Sequence, residues 1–446
     1  MSTSASTLSL PDFAGHSVTP DHPQYDRLRR VWNGSFDRYP ALILQARTTD
    51  DVCAAIRLAA TQGKPFAVRG GGHSIPGFST CDGGIVLDLS LMNTVSVDPA
   101  ARVVTVGGGA LLGQIDAAGA PHGLVTPAGV ISHTGVGGLT LGGGMGWLSR
   151  RFGMTIDSLL GARMVTASGD IVDCSADLEP ELFWGLRGGG GNFGVVTEFR
   201  FRMHDLGPVR MGNWRYPLAS AATALRAYSD LARAARREVS TSFTLSSTAL
   251  SLTAFASGNT AGTQDAVLPF GQLGVPADGG LMPLSYCDFQ SRNDTGAPWG
   301  RRYYSRGGFL HDLDDAAIEA MVTAAATAPT EDSEIYVLQL GGAVADMAED
   351  ATAYSGRSAG YYWVANPVWD AVKDDTACLD WGRGSARQLM ALSMETNYVN
   401  EQGDSGSAVA EKAYGAAKYR RLAALKARFD GNNLFRLNQN ILPARG

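Results

Sequence analysis

The 446-residue chain has no stretch approaching the ~20 consecutive apolar residues needed to cross a bilayer, so no membrane span is expected. It has no run of lysine or arginine either. The 37 basic residues are outnumbered by 43 acidic ones, for a net charge of −6, and neither nucleic acid nor an anionic membrane surface is an expected partner. Cysteine is scarce. Cys53, Cys81, Cys174, Cys287 and Cys378 lie far apart with no CxxC pair, which argues against a disulfide framework and against a zinc site. Buried free thiols are the reading, and no metal site is expected. The start of the chain, Met1 to Ser6 followed by Pro11, Asp12 and His16, lacks a basic segment leading into an apolar core. No secretory signal is visible, and a cytoplasmic location is the default expectation. Nothing in the sequence sets an oligomeric state.

Hydrophobic residues at 45% and charged residues at 18% describe a folded chain, too long for one ordinary core. Glycine is the excess. There are 55, about 12% of the chain against a usual ~7%. They gather at Gly70 to Gly72, Gly107 to Gly109, Gly135 to Gly146 and Gly185 to Gly194, all in the first half.

That half reads as many short strands with a few helices. A short helix is expected around Tyr25 to Trp32, and strands at Ala41 to Leu44, Pro65 to Val68, Ile85 to Leu89, Val103 to Val106 and Val195 to Met203. Thr49, Asp50 and Asp51 can cap a helix over Val52 to Gln62. Leu111 to Ala118 reads as a helix and Glu181 to Leu186 as a helical turn. After Pro208, alternation over Ser240 to Leu252, Leu281 to Phe289 and Glu334 to Leu340 suggests an antiparallel sheet, with Ala-rich helices at 219–236 and 314–327 over one face. One long helix is expected from Ala408 to Phe429, then an extended, Asn-rich tail from Leu434 to Leu442. The fold class is α+β. Expected units are a first domain over 1–207, a nested sheet-and-helix domain over 208–395, and a C-terminal segment, 396–446, that returns to the first.

Arg69-Gly-Gly-Gly-His73-Ser74 follows a strand directly. Its exposed N–H groups could hold a pyrophosphate, or it could be a tight surface turn. Gly135 to Gly146 is more telling. Seven glycines in twelve positions, interleaved with apolar residues, would cost a regular element about 0.5–1 kcal/mol each. Such a segment is expected where a bulky planar group with a phosphate tail lies against the main chain. Gly189 to Gly194 is a formal GxGxxG, yet a helical turn precedes it and a strand follows. A nicotinamide-type fold needs the opposite order.

These motifs, with Gly191-Asn-Phe-Gly194-Val195-Val196-Thr-Glu-Phe199, Tyr398-Val-Asn400 and Asn438-Gln-Asn440-Ile-Leu-Pro443, resemble the FAD-linked oxidases of the vanillyl-alcohol-oxidase/p-cresol-methylhydroxylase (PCMH-type) fold. Within it the chain resembles the berberine-bridge-enzyme-like subgroup. The resemblance implies FAD held by Arg69, Gly70, Gly71, Gly72, His73, Ser74, Thr134, Gly135, Gly138, Leu139, Gly142, Gly143, Gly146, Gly194, Val195, Val196, Asn400, Asn438 and Asn440. It implies a covalent link from His73 to the flavin 8α-methyl. An imidazole closing a glycine loop is also chemically suited to that bond. His122 and His133 lack such a setting and read as ordinary loop residues. Many members carry a second link through a cysteine. Aligned on Gly142 to Gly144, that place holds Ile131, so a single bond is expected.

On the substrate side, the resemblance turns Gln339 toward the pocket, although the residues alone leave a polar edge position equally open. Members often have a tyrosine three places after the position of Tyr398; here it is Glu401. A partly buried glutamate could take a proton as hydride leaves, and an exposed loop carboxylate is the alternative. Tyr398 is the second candidate. Tyr303 and Tyr304 could line the pocket or pack a domain seam. The activity implied is an oxidase that removes hydride from a C–H next to oxygen or nitrogen of a small substrate, with dioxygen as acceptor. The other reading is a flavin-bearing protein that sequesters a drug with little turnover.

Overall fold

The computed structural model describes Leu10, residues 13–260 and residues 262–445; the remaining residues of the N-terminal leader, with Ala261 and Gly446, lie outside the described residues. Three large sheets and two two-stranded ones carry the described chain. Leu42–Gln45, Phe66–Arg69 and Ile85–Asp88 pair in parallel, with His16–Val18 antiparallel at one edge. Leu42–Gln45 and Ile85–Asp88 are buried on both faces, so they read as continuous apolar runs without alternation. Helix Thr49–Gln62 crosses between the parallel strands. Its cap is Thr48, one place earlier than expected: Thr48 Oγ accepts from the Asp51 N–H while the Asp51 carboxylate takes the Thr48 N–H. The leader helix stops at Arg29, before the expected Trp32, because Trp32 leaves the helix to bond its N–H to Gly72 O.

The second sheet is antiparallel, in the order Val95–Asp98, Val103–Gly107, Val195–Arg202, Leu159–Val165, Ile171–Ser175. Its central strand buries Phe199 and Phe201 and exposes Arg200 and Arg202, the period-2 pattern of a strand with one face covered. The third sheet has seven antiparallel strands, ordered Asp278–Met282, Val209–Pro217, Ala249–Ser257, Val239–Leu245, Glu334–Gln339, Tyr361–Asn366 and Arg306–Leu310. Helices Leu218–Ala234, Asp315–Ala326 and Asp375–Met390 cover one face. The expected strand over Leu281 to Phe289 is instead the end of one strand, then a helix, Tyr286–Ser291, capped by Ser285.

The long C-terminal helix is two helices, Ser407–Tyr414 and Ala416–Phe429, broken at Gly415, whose φ of 75° no helix accommodates. Beyond it the tail forms no strand. It is tied down by a fully buried ion pair: Lys426 Nζ donates to Asp430 at 2.6 Å, Asn192 O at 2.8 Å and Phe435 O at 2.9 Å. Asn192 also binds the tail through Gln439 O and the Ile441 N–H. Among the described residues, no helix is long and apolar enough to cross a membrane.

Two glycine loops meet at the heart of the first half. The loop after Phe66–Arg69 lies so close to the segment entering helix Val136–Gly142 that a Cβ on Gly71 would collide with the backbone of Gly135, and one on Gly135 with Gly71. Gly71→Ala should therefore cost about 1–3 kcal/mol through overpacking, read as a lower thermal midpoint. Gly138→Ala, whose Cβ would meet nothing within 4 Å, should leave the midpoint of the flavin-free protein nearly unchanged. Asp430→Ala strands Lys426 without its partner and should cost about 3–5 kcal/mol, measured by urea titration.

Candidate active site

A cavity of about 870 Å³ runs between the glycine loops and the uncovered face of the seven-stranded sheet. That is the upper part of the range for small-molecule sites, roughly 300–1,000 Å³. Its glycine wall includes Gly70, Gly71, Gly72, Thr134, Gly135, Gly138, Leu139, Gly194, Val195 and Val196, with Asn400 and Asn438 from the C-terminal segment. Its sheet wall carries Asn213, Ser242, Thr244, Ser251, Thr253 and Tyr336. These fall on one face because Asn213 pairs with Thr253, Ser242 with Thr253, and Thr244 with both Ser251 and Tyr336.

His73 and Ser74 also line the cavity. The His73 ring stacks on Trp32 at 4.8 Å and 14°, and its Nε2 lies 2.6 Å from Nδ1 of His133. Burial, and then the neighbouring His133, lower the His73 pKa to about 3, so the ring is neutral at physiological pH. His133, read from sequence as an ordinary loop residue, is thus the hydrogen-bonding partner of His73. A contact between residues sixty apart leaves no local signal in the chain. Trp32 in turn stacks on Tyr303 at 3.8 Å; Tyr303 and Tyr304 both line the cavity and both pack against other segments.

Several expected cofactor contacts are turned elsewhere. Arg69 points into the core, where Nη2 pairs with buried Asp88 at 2.8 Å and Nη1 donates to Arg30 O. Burial opposes the Asp88 charge, but Arg69 and Ser90 outweigh it and hold the carboxyl below its usual range. Gly142, Gly143 and Gly146 do not border the cavity. They admit close packing: a side chain would strike Asn400 at the first, Met154 and Tyr354 at the second, and the Ala128 carbonyl at the third. Part of the segment that should resist regular structure is in fact the helix Val136–Gly142. Asn440 lies off the cavity as well, its Oδ1 buried with no partner among the described residues.

Gln339 faces the wrong way for the role suggested. Its Nε2 donates to Ala232 O at 2.5 Å and its Oε1 accepts from Thr241, beneath helix Leu218–Ala234. Ile335 and Val337 fill that helix-covered side, so alternation sends Glu334 and Tyr336 to the cavity. Glu334, which the sequence reading missed, has its pKa pushed up to about 7 by burial and by nearby Asp332.

Glu401 and Tyr398 both border the cavity. Glu401 Oε2 accepts from the Tyr362 hydroxyl at 2.6 Å. Burial raises the Glu401 pKa, and the Tyr362 bond only partly offsets it. The Tyr398 oxygen accepts from the Gly144 N–H at 3.1 Å and from Asn400 Nδ2 at 3.0 Å, which leaves its hydrogen to donate. Burial and Glu401 hold its pKa well above the usual phenol range. The pair therefore offers one carboxylate able to take a proton and one phenol able to give a hydrogen bond.

The glycine wall fits a flavin dinucleotide. A Cβ on Gly138 or Gly191 would enter open space, as at a cradle shaped for something other than side chains. Asn438 Oδ1, Gln439 Oε1 and Tyr414 Oη, all on cavity-lining residues, are buried with no partner among the described residues. Such atoms are expected where a polar ligand completes the bonding.

Comparison with known proteins agrees. A family model described as FAD binding domain matches residues 40–175, and one described as berberine and berberine like matches 397–442. An FAD-linked oxidoreductase of Dictyostelium discoideum is 31% identical over 420 residues, 93% of this chain and 92% of that protein. The (R)-6-hydroxynicotine oxidase of Paenarthrobacter nicotinovorans is 40% identical over 203 residues, 45% of this chain and 44% of that one. Among solved structures, 6-hydroxy-D-nicotine oxidase from Arthrobacter nicotinovorans superposes with a TM-score of 0.87 at 26% identity, over 99% of this chain and 100% of that one. Glucooligosaccharide oxidase from Acremonium strictum, which carries a 6-S-cysteinyl, 8α-N1-histidyl FAD, gives 0.86 at 25% over 97% and 98%. The chain belongs to the FAD-linked oxidoreductases of the berberine-bridge-enzyme-like subgroup, on the PCMH-type flavoprotein fold.

Proposed function

We propose that this enzyme is an oxidase whose FAD is linked once, through His73, and which removes hydride from a C–H next to oxygen or nitrogen of a small organic substrate. The supporting observation is that one cavity holds both a neutral His73 in its glycine wall and Glu401, a carboxyl group with a raised pKa. A protein that merely sequestered its ligand would have no use for a base so placed. On this reading residues 1–207 hold the cofactor, 208–395 the substrate, and 396–446 return to supply Tyr398, Asn400, Glu401 and Asn438.

When bound, the flavin supplies the hydride acceptor and passes the electrons to dioxygen, giving hydrogen peroxide. The chain's own residues do the rest. Glu401, ionised, takes the proton of the substrate hydroxyl or amine, while Tyr362 keeps the carboxylate oriented. Tyr398, protonated and fixed by Gly144 and Asn400, donates a hydrogen bond into the cavity. The hydroxyl and amide groups of the sheet wall bind and orient the substrate. Relatives act on amines and on sugars, and an amine, a sugar or another secondary metabolite fits this chemistry. With Ile131 where a cysteine would form a second bond, the single link leaves the flavin less oxidising than in a doubly linked relative.

Acid-precipitated wild-type protein should stay yellow, and a His73→Ala pellet should be colourless while the variant retains its fold. A colourless wild-type pellet would remove the attachment. Glu401→Gln should lower kcat/KM by about 10²–10⁴-fold with a substrate found by peroxide screening. Because the base acts ionised, wild-type kcat/KM should fall as pH drops through an apparent pKa above the ordinary carboxylate range. The variant should lose that limb.

A further inference from the structure

We infer that Arg292 binds a carboxylate in the cavity, and that the substrate is an alcohol or amine carrying that carboxylate several bonds from the carbon oxidised. The inference rests on the oxidase reading above and narrows its substrate class. Arg292 lines the cavity beside Thr253 and Asn213 of the sheet wall. Its Nη2 donates to Thr253 Oγ1 at 2.9 Å, and its Nη1 meets the weakly accepting sulfur of Met282 at 3.6 Å. Its Nε is buried with no partner among the described residues. No carboxylate among the described residues pairs with the guanidinium. Its flanks are aromatic instead, with the ring centres of Phe289 and Trp147 at 4.6 and 5.7 Å from Cζ.

Buried arginines elsewhere in the chain are fully engaged. Arg69 and Arg357 pair with Asp88 and Asp157. Arg150 donates from all three nitrogens to the carbonyls of Val239, Leu340 and Ala235. Burial draws the Arg292 pKa down, and Tyr336 only partly opposes the shift. A guanidinium stays charged all the same, so its charge is left for a ligand to meet. The segment that carries it is fixed in place: Gln290 Nε2 donates to Gly129 O, and the Ser132 N–H donates to Asp294 at 2.8 Å. Two hydroxyls stand ready beside it. Thr253 Oγ1 accepts from Arg292 and from Asn213 Nδ2, which leaves its own hydrogen to donate. Burial holds Tyr336 protonated, so it too can donate. A planar carboxylate can meet the guanidinium through two parallel bonds.

The sheet sets how far this carboxylate lies from the base. Tyr362, Leu338, Ser242 and Thr253 are successive partners in one row across the strands. Tyr362 bonds to Glu401 at one end of the row, and Thr253 bonds to Arg292 at the other. Three strand-to-strand steps span about 14 Å. Neither of the two charged groups shifts the pKa of the other, as expected for groups held apart. In a 2-hydroxy acid the reacting carbon bears the carboxylate directly, and such a molecule is too short to reach both. Charge along the strands points the same way. Glu331, Asp332 and Glu334 line the cavity four or more residues before Leu338, about 13 Å or more from the Arg292 row. The acidic residues and the unpaired cation thus occupy different ends, and an acid is drawn to one of them.

The test is calorimetric titration of the FAD-loaded, full-length protein with benzoate, phenylacetate, 3-phenylpropanoate and 4-phenylbutanoate, each beside its uncharged amide. At least one acid should bind wild type about 10–100-fold more tightly than its amide, the worth of hydrogen bonds to a charged partner. Arg292→Met should abolish that preference and leave amide binding unchanged, which also shows that the variant is folded. Arg292→Lys should restore part of it, keeping the charge and losing the paired geometry. Glu401→Gln should keep it whole. A series in which no acid prefers wild type over Arg292→Met would overturn the inference. So would acid and amide weakened equally by Arg292→Met, which would make the residue a packing element only. A preserved preference for acids in a protein that releases peroxide from no substrate would instead refute the oxidase reading, and the two failures are distinguishable.

Discussion

The main chain of Gly71 lies directly against that of Gly135, and the site depends on that contact. It joins the end of a parallel strand to the start of a short helix with no side chain between them. One wall of the cavity follows, because two lengths of exposed backbone become continuous. The placement of His73 beside His133 follows as well, each imidazole being two residues from the point where the loops touch. The high glycine content is therefore of two kinds. Gly138 and Gly191 border the open space of the cavity, whereas Gly142, Gly143 and Gly146 let Asn400, Tyr354 and the Ala128 carbonyl approach closely.

Burial without full pairing assigns the protonation states around the cavity. His73 is kept neutral because charging it would cost solvation next to a second imidazole. Glu401 is shifted the other way by the same desolvation and keeps, among the described residues, the Tyr362 hydroxyl as its donor. Arg69 and Asp88 show the contrast. A complete ion pair outweighs burial, and the guanidinium is withdrawn from the cavity into the core. A free arginine at that point would have offered a phosphate a charge; here Gly70, Gly71 and Gly72 border the cavity with backbone alone.

The glycine clusters, the order of elements around Gly189 to Gly194 and the polar tail were legible because each is a local anomaly in composition or sequence. Those features suffice to point to the flavin half, while Glu401 was reached only through the family resemblance, by its place three residues after Tyr398. What sequence missed was set by tertiary packing. Alternation over Glu334–Gln339 was read correctly as a strand, but which face meets the helices is decided by Ile335 and Val337 packing under them, and that sends Gln339 away from the site. His133 was passed over because its partner lies sixty residues away. The break at Gly415 was missed because a single glycine within an amphipathic pattern reads as tolerated until its positive φ is seen.

The most direct measurement of the central claim is the mass of the tryptic peptide from Gly70 to Arg102, released from protein purified without harsh treatment. Its only histidine is His73. The account predicts a peptide heavier by one FAD less two hydrogens, with fragment ions placing the added mass on His73. An unmodified peptide from protein that retains FAD, or the same mass found on any other peptide, would contradict it.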